Sequence, residues 1–589
     1  MKRIIDLIEE QVKAAFENSG YDASFGNVNV SNRPDLCQYQ CNGAMAAAKT
    51  YHKAPVMIAG DVVERLKDNV MFEKIDAVAP GFINIILSPA YIAEYMNSMA
   101  KDERFGCPEE ENKKKIVIDY GGPNVAKPLH VGHLRSAIIG ESIKRIARFM
   151  GNDVIGDVHL GDWGLQIGLI ITELKTRKPE LCYFDESFTG EYPEEAPFTM
   201  SELEEIYPYA SGYSKTHKDY LSAAQQATAD LQAGNRGYLA LWNHIIEVSV
   251  ADIKKNYEKL NVSFELWKKE SDVQKYIPDM VKAMKDGGFA YESDGALVVD
   301  VKEETDTKEM PPCIILKSNG ATNYETTDLA TIIERRKLFD AKKLIYVVDK
   351  RQALHFDQVF RCARKTGLVD DDIELNFVGF GTMNGKDGKP FKTRDGGVLR
   401  LETLISDINE AVYERIMCNR QMAEEEAREV AGKVGLAAIK YGDLSNQASK
   451  DYVFDVDRFT SFEGNTGPYI LYSIVRIKSV LAKYQETGHN IADADTIIAP
   501  TVKSETDLML ELLKFGDVIV QAYKDNAPHK ICQYIYEMAD AFNRFYHENK
   551  IMGEENEERQ KSLIALLVLV KNVLEKCIDL LGFDAPEKM

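Results

Sequence analysis

The chain of 589 residues has no apolar run long enough to cross a bilayer: the longest, Leu563 to Val570, is far short of the ~18 residues a spanning helix needs. It has no Cys-x-x-Cys pair and no cysteine–histidine cluster at zinc-ligand spacing. Its nine cysteines are scattered, which argues against a disulfide scaffold or a zinc module and predicts reduced thiols in a reducing, cytoplasmic compartment. Nor is there an excess of positive charge. With 72 basic and 93 acidic residues the net charge is −21, so any polyanion must be met by local basic surface. No repeat of fixed period is apparent.

Apolar residues make up 45% and charged residues 28%, the balance of a folded globular protein. The length exceeds what one core fills, so several domains are expected. The charge is segregated. Lys113 to Arg148 holds eight basic residues against two acids, and Arg177 to Ala210 holds two against nine. Either block is also the composition of an ordinary solvated face.

The opening MKRIIDLIEEQVKAAF places Ile4, Ile5, Ile8, Val12 and Phe16 on one helical stripe, and its acids argue for a surface helix over a leader. Residues 1–112 read as a small α/β domain that ends in the apolar run Phe82 to Leu87, a helix to Met99 and a polar linker from Asp102. A buried strand, Ile116 to Tyr120, then leads through a GGPN turn and a loop to an amphipathic helix that stops at Gly151-Asn152. Further strands are expected at Val154 to Leu160, Ala296 to Val301, Leu344 to Val348 and Leu375 to Phe380. Alternating with helices, they predict a doubly wound parallel sheet over 113–405, interrupted by an insertion at about 177–290. Residues 406–589 read as an all-α bundle, with Ile531, Ile535, Met538 and Phe542 on a core-facing stripe.

The stretch Asp119 to Arg135, DYGGPNVAKPLHVGHLR, lies between the first core strand and its helix, where a doubly wound sheet binds ligands and a helix N-terminus attracts anions. His130 and His133 can both sit at the helix start, Gly132 between them leaves room for a nucleotide, and Lys127 adds a cation. Imidazoles that donate to phosphate oxygens stabilise charge building on phosphorus during adenylyl transfer. Taken alone, His-x-Gly-His is also a metal pair or a surface turn.

In this position the motif resembles the HIGH sequence of class I aminoacyl-tRNA synthetases, and PNVAKPLHVGHLRSAIIG is similar to the arginyl-tRNA synthetases in particular. GDVHLGDWGLQIG, TNYETTDLA, IYVVDKRQALHFDQVF, GNTGPYILYSIVRI and the terminal APEKM continue that resemblance in the same order. The family's KMSKS motif is absent. In its place stands NGKDGKPFKTRDGG (384–397), where Lys392 and Arg394 occupy the part that would carry the lysine-serine pair. Glycines and cations suit this loop to closing over ATP, though such a loop is commonly just a surface turn. Some members of the family replace the second lysine of that motif by one before HIGH, here Lys127.

The resemblance implies a monomeric ligase that activates L-arginine with ATP and Mg²⁺ and passes it to tRNA(Arg), with no tightly held protein metal. Asp119, Asn124, Tyr324, Asp328 and Gln352 align with the family's amino acid-binding positions. A guanidinium calls for carboxylates in its plane and an aromatic face, which suits Asp119, Asp328 and Tyr324, while Asn124 and Gln352 suit the amine and carboxylate. Asp328 is also placed to cap a helix. His355 matches a position near the nucleotide, and a structural histidine is the alternative. The flanking domains of the family hold the outer corner and the anticodon of the tRNA. Most bundle aromatics are expected in the core, which leaves Tyr546 and Met589 as tRNA contacts. Two rivals remain: another ATP-using nucleotidyltransferase with the same crevice, and a catalytically silent tRNA-binding relative.

Overall fold

The computed structural model describes residues 1–389, 399–419 and 422–589. Its chain divides into two compact units. One comprises Met1–Glu109, Phe462–Asp579 and Asp584–Met589; the other comprises Glu110–Ser461 and Leu580–Phe583. The expected boundary near residue 405 falls within helix Leu401–Asn419, and the second unit runs on to Ser461.

In the first unit, helix Ile4–Asn18 buries Ile4, Ile8, Val12 and Phe16, the stripe expected from the sequence. A four-stranded antiparallel sheet follows, in the order Val28–Val30, Tyr39–Cys41, Phe82–Leu87, Phe72–Val78. Ile83, Ile85 and Leu87 turn inward at every second position, so one face of the sheet supplies core. The helices from Gly467 onward form the bundle of this unit, and Ile531, Ile535, Met538 and Phe542 are fully buried in helix His529–Glu548. Arg3 ties the chain's first turn to that bundle through Asp517 at 2.8 Å.

The second unit is built on five parallel strands in the order Glu374–Phe380, Lys343–Asp349, Lys115–Tyr120, Asp153–Leu160, Leu266–Lys269. The chain winds outward one way from 115–120 and then resumes on its other side with 343–349. The gap between the C-terminal ends of these two strands is therefore the topological switch point. Helix Val131–Phe149 crosses it. Ser136 fixes the crossing, because its hydroxyl accepts the Gly121 N–H at 2.8 Å and donates to the Val347 carbonyl at 2.6 Å. Arg135, on the preceding position, is buried and donates to Asp443 at 2.9 Å and to the Gly381 carbonyl at 2.7 Å.

Two expectations about strands change. Ala296–Val299 lies in a separate antiparallel sheet with Ala290–Ser293 and Cys313–Leu316. The cause is local. Asp294 and Gly295 both take positive φ, at 50° and 78°, which makes a two-residue hairpin turn where a crossover was expected. The fifth parallel strand, Leu266–Lys269, falls inside the segment read as an insertion; it is a short edge strand carrying two lysines, so its sequence lacks a buried-strand pattern. Among the described residues no helix is long and apolar enough to cross a membrane.

Candidate active site

The loop after strand 115–120 is held by its backbone. Asn124 bridges to Gly161 beyond the neighbouring strand, and a Cβ on Gly161 would stand 2.0 Å from the Asn124 Oδ1, so any other residue there would push the Asn124 side chain aside. Ala126 takes a left-handed φ of 60°, and its N–H donates to Ser249 Oγ at 2.8 Å. Lys127 follows, with its ammonium 4.5 Å from the centre of the Tyr207 ring on helix Met200–Ser214.

His130 and His133 close the N-terminus of helix 131–149 in a reciprocal cap. His130 Nδ1 accepts the Gly132 N–H at 3.0 Å, and His133 Nδ1 accepts the His130 N–H at 3.2 Å. The ring centroids are 3.9 Å apart. Accepting at Nδ1 leaves the proton of each neutral ring on Nε2, free to donate outward. Burial, with Lys127 nearby, holds the His130 pKa below its usual value. Burial and then His130 and Lys127 push His133 down to about 3. Gly132 has a reason other than ligand clearance: a Cβ there would lie 2.7 Å from His130 Cε1.

The acidic side of the site is built from helix Tyr324–Phe339. Asn323 caps it by accepting the Thr326 N–H, so Asp328 is not the cap but a second-turn residue free for another role. His355 lies 2.5 Å from the Asp328 carboxylate and also faces Glu325 at 3.7 Å. Burial opposes charge on this ring, but the hydrogen bonds to both acids prevail and raise it to about 9. His355, expected near the nucleotide, is thus the partner of Asp328.

Glu270 was not foreseen. It directly follows the edge strand 266–269, and burial together with the charges of Asp162 and Asp328 pushes its pKa up to about 7. Tyr324 joins the group: it feels both Glu270 and Asp328, and its side of helix 324–339 is open, with 67% of the residue exposed. Tyr207 also acts on Tyr324, which brings the Lys127 side and the acidic side of the cleft together. The signal that could have found Glu270 is its place at the carboxyl end of a parallel strand, where such sheets bind ligands.

Asp119 goes elsewhere. Its carboxylate receives Arg335 Nη2 at 2.6 Å, and the same nitrogen reaches Asp157 at 2.7 Å. The guanidinium that Asp119 binds is the chain's own. Gln352 is exposed at the start of helix Ala353–Lys365.

Three family profiles match the chain: "tRNA synthetases class I (R), catalytic domain" over residues 95–456, "DALR anticodon binding domain" over 470–589, and "Arginyl tRNA synthetase N terminal domain" over 2–87. An arginine–tRNA ligase of Agathobacter rectalis is 62% identical over 597 aligned positions, and one of Alkaliphilus oremlandii is 56% identical over 589, each covering 100% of both chains. The chain belongs to the arginyl-tRNA synthetase family. A solved arginyl-tRNA synthetase from Plasmodium falciparum aligns over 100% of both chains with a TM-score of 0.82 at 27% identity.

The segment that carries NGKDGKPFKTRDGG is anchored through its described residues on both sides. Met383–Asn384 pairs in parallel with Tyr452–Val453, and Lys386 contacts Asp455 at 3.1 Å. At the other end Arg400 bridges to His130, with the Val131 N–H on the Leu399 carbonyl at 3.1 Å and the Leu401 N–H on the Leu129 carbonyl at 2.9 Å. Lys392 and Arg394 lie outside the described residues. In the bundle, Tyr546 is half-buried, with the Arg476 guanidinium 5.3 Å from its ring centre. Arg476 also lies 4.7 Å from the Tyr472 ring and donates to Asn543 at 2.7 Å. Met589 is only 4% exposed, so its side chain packs inward and offers no face for a base to stack on.

Proposed function

We propose that this chain joins L-arginine to tRNA(Arg) in two steps, forming arginyl-adenylate and pyrophosphate from arginine and ATP and then passing the arginyl group to the tRNA with release of AMP. The observation that carries this reading is a pair of neutral imidazoles at the N-terminus of the helix at the switch point, with Glu270, on which acids and no cation act, at the carboxyl end of the edge strand of the same sheet. In that cleft the guanidinium sits against Glu270 and Asp328 with its flat side on Tyr324. Asn124 and Gln352 orient the amine and carboxylate.

The arginine carboxylate attacks the α-phosphorus in line. His130 and His133 donate through Nε2 to the phosphate oxygens, and Lys127 moves from the Tyr207 ring to the charge that develops. Because both rings are neutral at physiological pH, they act as dipoles and need not lose or gain a proton. Lys392 and Arg394 neutralise pyrophosphate as it leaves.

Mg²⁺ enters with the triphosphate as part of the substrate. Asp119, Asp157 and His159 come within ligand distance of one another, but Arg335 already supplies the positive charge between the two acids, so this cluster does not fit a resident dication. Residues 1–112 hold the outer part of the tRNA and the C-terminal helices receive its anticodon, with unpaired bases stacking by Tyr546 beside Arg476. The enzyme works as a monomer in the cytoplasm.

Pyrophosphate exchange with each of the twenty amino acids, with and without tRNA, tests the reading. Exchange supported by arginine alone is expected. Exchange with a compound other than an amino acid, or silence in the presence of tRNA(Arg), refutes it.

A further inference from the structure

Below the cleft the chain repeats, with its own side chain, the recognition just assigned to the substrate. Tyr346, Asp119 and Asp157 are register neighbours on three adjacent parallel strands, so they form one row across the sheet. Over that row lies Arg335, 2% exposed, with Nη2 at 2.6 Å from Asp119 and 2.7 Å from Asp157 and its guanidinium 5.2 Å from the Tyr346 ring centre. Two carboxylates and a tyrosine face bind a guanidinium here, as Glu270, Asp328 and Tyr324 do above. Arg335 follows Asp328 by seven residues, two turns and roughly 10 Å along the same face of one helix. Asp157 is closed off, whereas Asp119 keeps some contact with solvent at the strand end that leads into the Asn124 and Lys127 loop.

As a purely structural clamp the cluster is poor. Asp157 Oδ1, Arg335 Nε and both ring nitrogens of His159 have no hydrogen-bond partner, and His159 Nδ1 is 4.0 Å from the Asp157 carboxylate. A buried ion group left half-satisfied is an expensive way to join a helix to a sheet when apolar packing does it better. Its position gives it another use. Without the charge of Arg335, Asp119 and Asp157 would offer an incoming guanidinium a second acidic pair about two helical turns deeper than the first. An arginine seated there would draw its α-carboxylate away from the imidazole pair.

We propose that Arg335 is a specificity-determining residue: it occupies the inner of two guanidinium-binding carboxylate pairs and so confines substrate arginine to the outer one. This rests on the reading of Glu270 and Asp328 as the substrate's acceptors. Arg335→Met removes the charge while keeping most of the length, and Arg335→Lys leaves an ammonium that satisfies one acid but does not span both as a guanidinium does.

Calorimetric titration of the full-length chain with arginine is expected to give one equivalent for the wild type and a second for Arg335→Met. In steady state, Arg335→Met should show inhibition by arginine, with the rate falling by about half or more once arginine exceeds KM by about a hundredfold, as a second arginine bound together with the first in an unreactive complex requires. Methylguanidine should raise the melting temperature of the wild type through the outer pair alone and that of Arg335→Met further, through both pairs. A single equivalent with ordinary saturation by arginine overturns the proposal. Should Arg335→Met fail to fold, Arg335→Gln, which also removes the charge, decides: inhibition by excess arginine supports the proposal, and saturation like the wild type overturns it. Asp328→Asn is the separate control. If it leaves arginine affinity unchanged, the assignment of the outer pair fails, whatever Arg335 does.

Discussion

If Glu270 accepts the substrate guanidinium as proposed, the arginine affinity of this enzyme should depend on pH. Its carboxyl titrates at about 7 in the empty cleft because burial and the charges of Asp162 and Asp328 disfavour ionisation, and a guanidinium needs the ionised form. With that pKa, about 90% is ionised at pH 8 and about 9% at pH 6, so the KM for arginine should rise about tenfold between the two. His355 does not disturb this window, since Asp328 and Glu325 keep it protonated up to about 9. Glu270→Gln removes one charge-assisted hydrogen bond, worth ~1.5 to 3 kcal/mol, which raises KM by about 10- to 150-fold at pH 8. The variant should also lose the pH dependence, while kcat moves little because the bond is made equally in ground and transition states.

Linkage gives a second readout. The folded pKa lies above the unfolded value of 4.5, so this group favours the empty fold fully below pH 4.5, and that contribution is lost as pH rises through about 7. Bound arginine removes the penalty at high pH, so arginine should raise the melting temperature more at pH 8 than at pH 6. Pyrophosphate exchange and differential scanning calorimetry across pH 5.5 to 8.5 test both. A KM that stays flat between pH 6 and 8 in the wild type, or that Glu270→Gln leaves unchanged, would refute the reasoning.

Three further outcomes are expected. His130→Ala and His133→Ala should each lower kcat by about 10² to 10³-fold; because both rings are held neutral, kcat should show no inflection near pH 6.5 that these variants abolish, and finding one contradicts the neutral-donor role. Lys127→Met should slow adenylate formation, and Tyr207→Leu should change its rate only while Lys127 is present, so a double-mutant cycle by rapid quench should show coupling of about 0.5 kcal/mol or more. Arg476→Ala and Tyr546→Ala should weaken tRNA binding by ~1 to 3 kcal/mol in filter binding without altering arginine affinity in calorimetry, and equal tRNA affinity in both variants removes these residues from the interface.

The parts of this fold legible in the sequence are those where one local pattern admits one geometry. Ile116 to Tyr120 is a mostly apolar strand followed by a turn and by His-x-Gly-His, and the structure places that pair at the start of the helix at the switch point. Leu344 to Val348 is equally clear, since a buried parallel strand is apolar on both faces, and Leu375 to Phe380, though a half-buried edge strand, keeps enough apolar residues to show. Leu266–Lys269 was hidden because an edge strand needs neither property, and Glu270 was hidden with it in a run of charged residues. Asp119 shows the limit most plainly. A carboxylate at the end of the first strand looks like a substrate ligand, and only packing reveals that an arginine 216 residues later already holds it.

The two signature segments of the catalytic cleft meet as backbone. Residues 129–131 and 399–401 exchange main-chain hydrogen bonds, which any side chain permits. The segment that carries NGKDGKPFKTRDGG can therefore change its letters without losing its address: the chain just beyond it is fastened by main chain to the histidine segment. Variation in length or in charge between residues 384 and 399 then leaves this fastening to the histidine segment undisturbed.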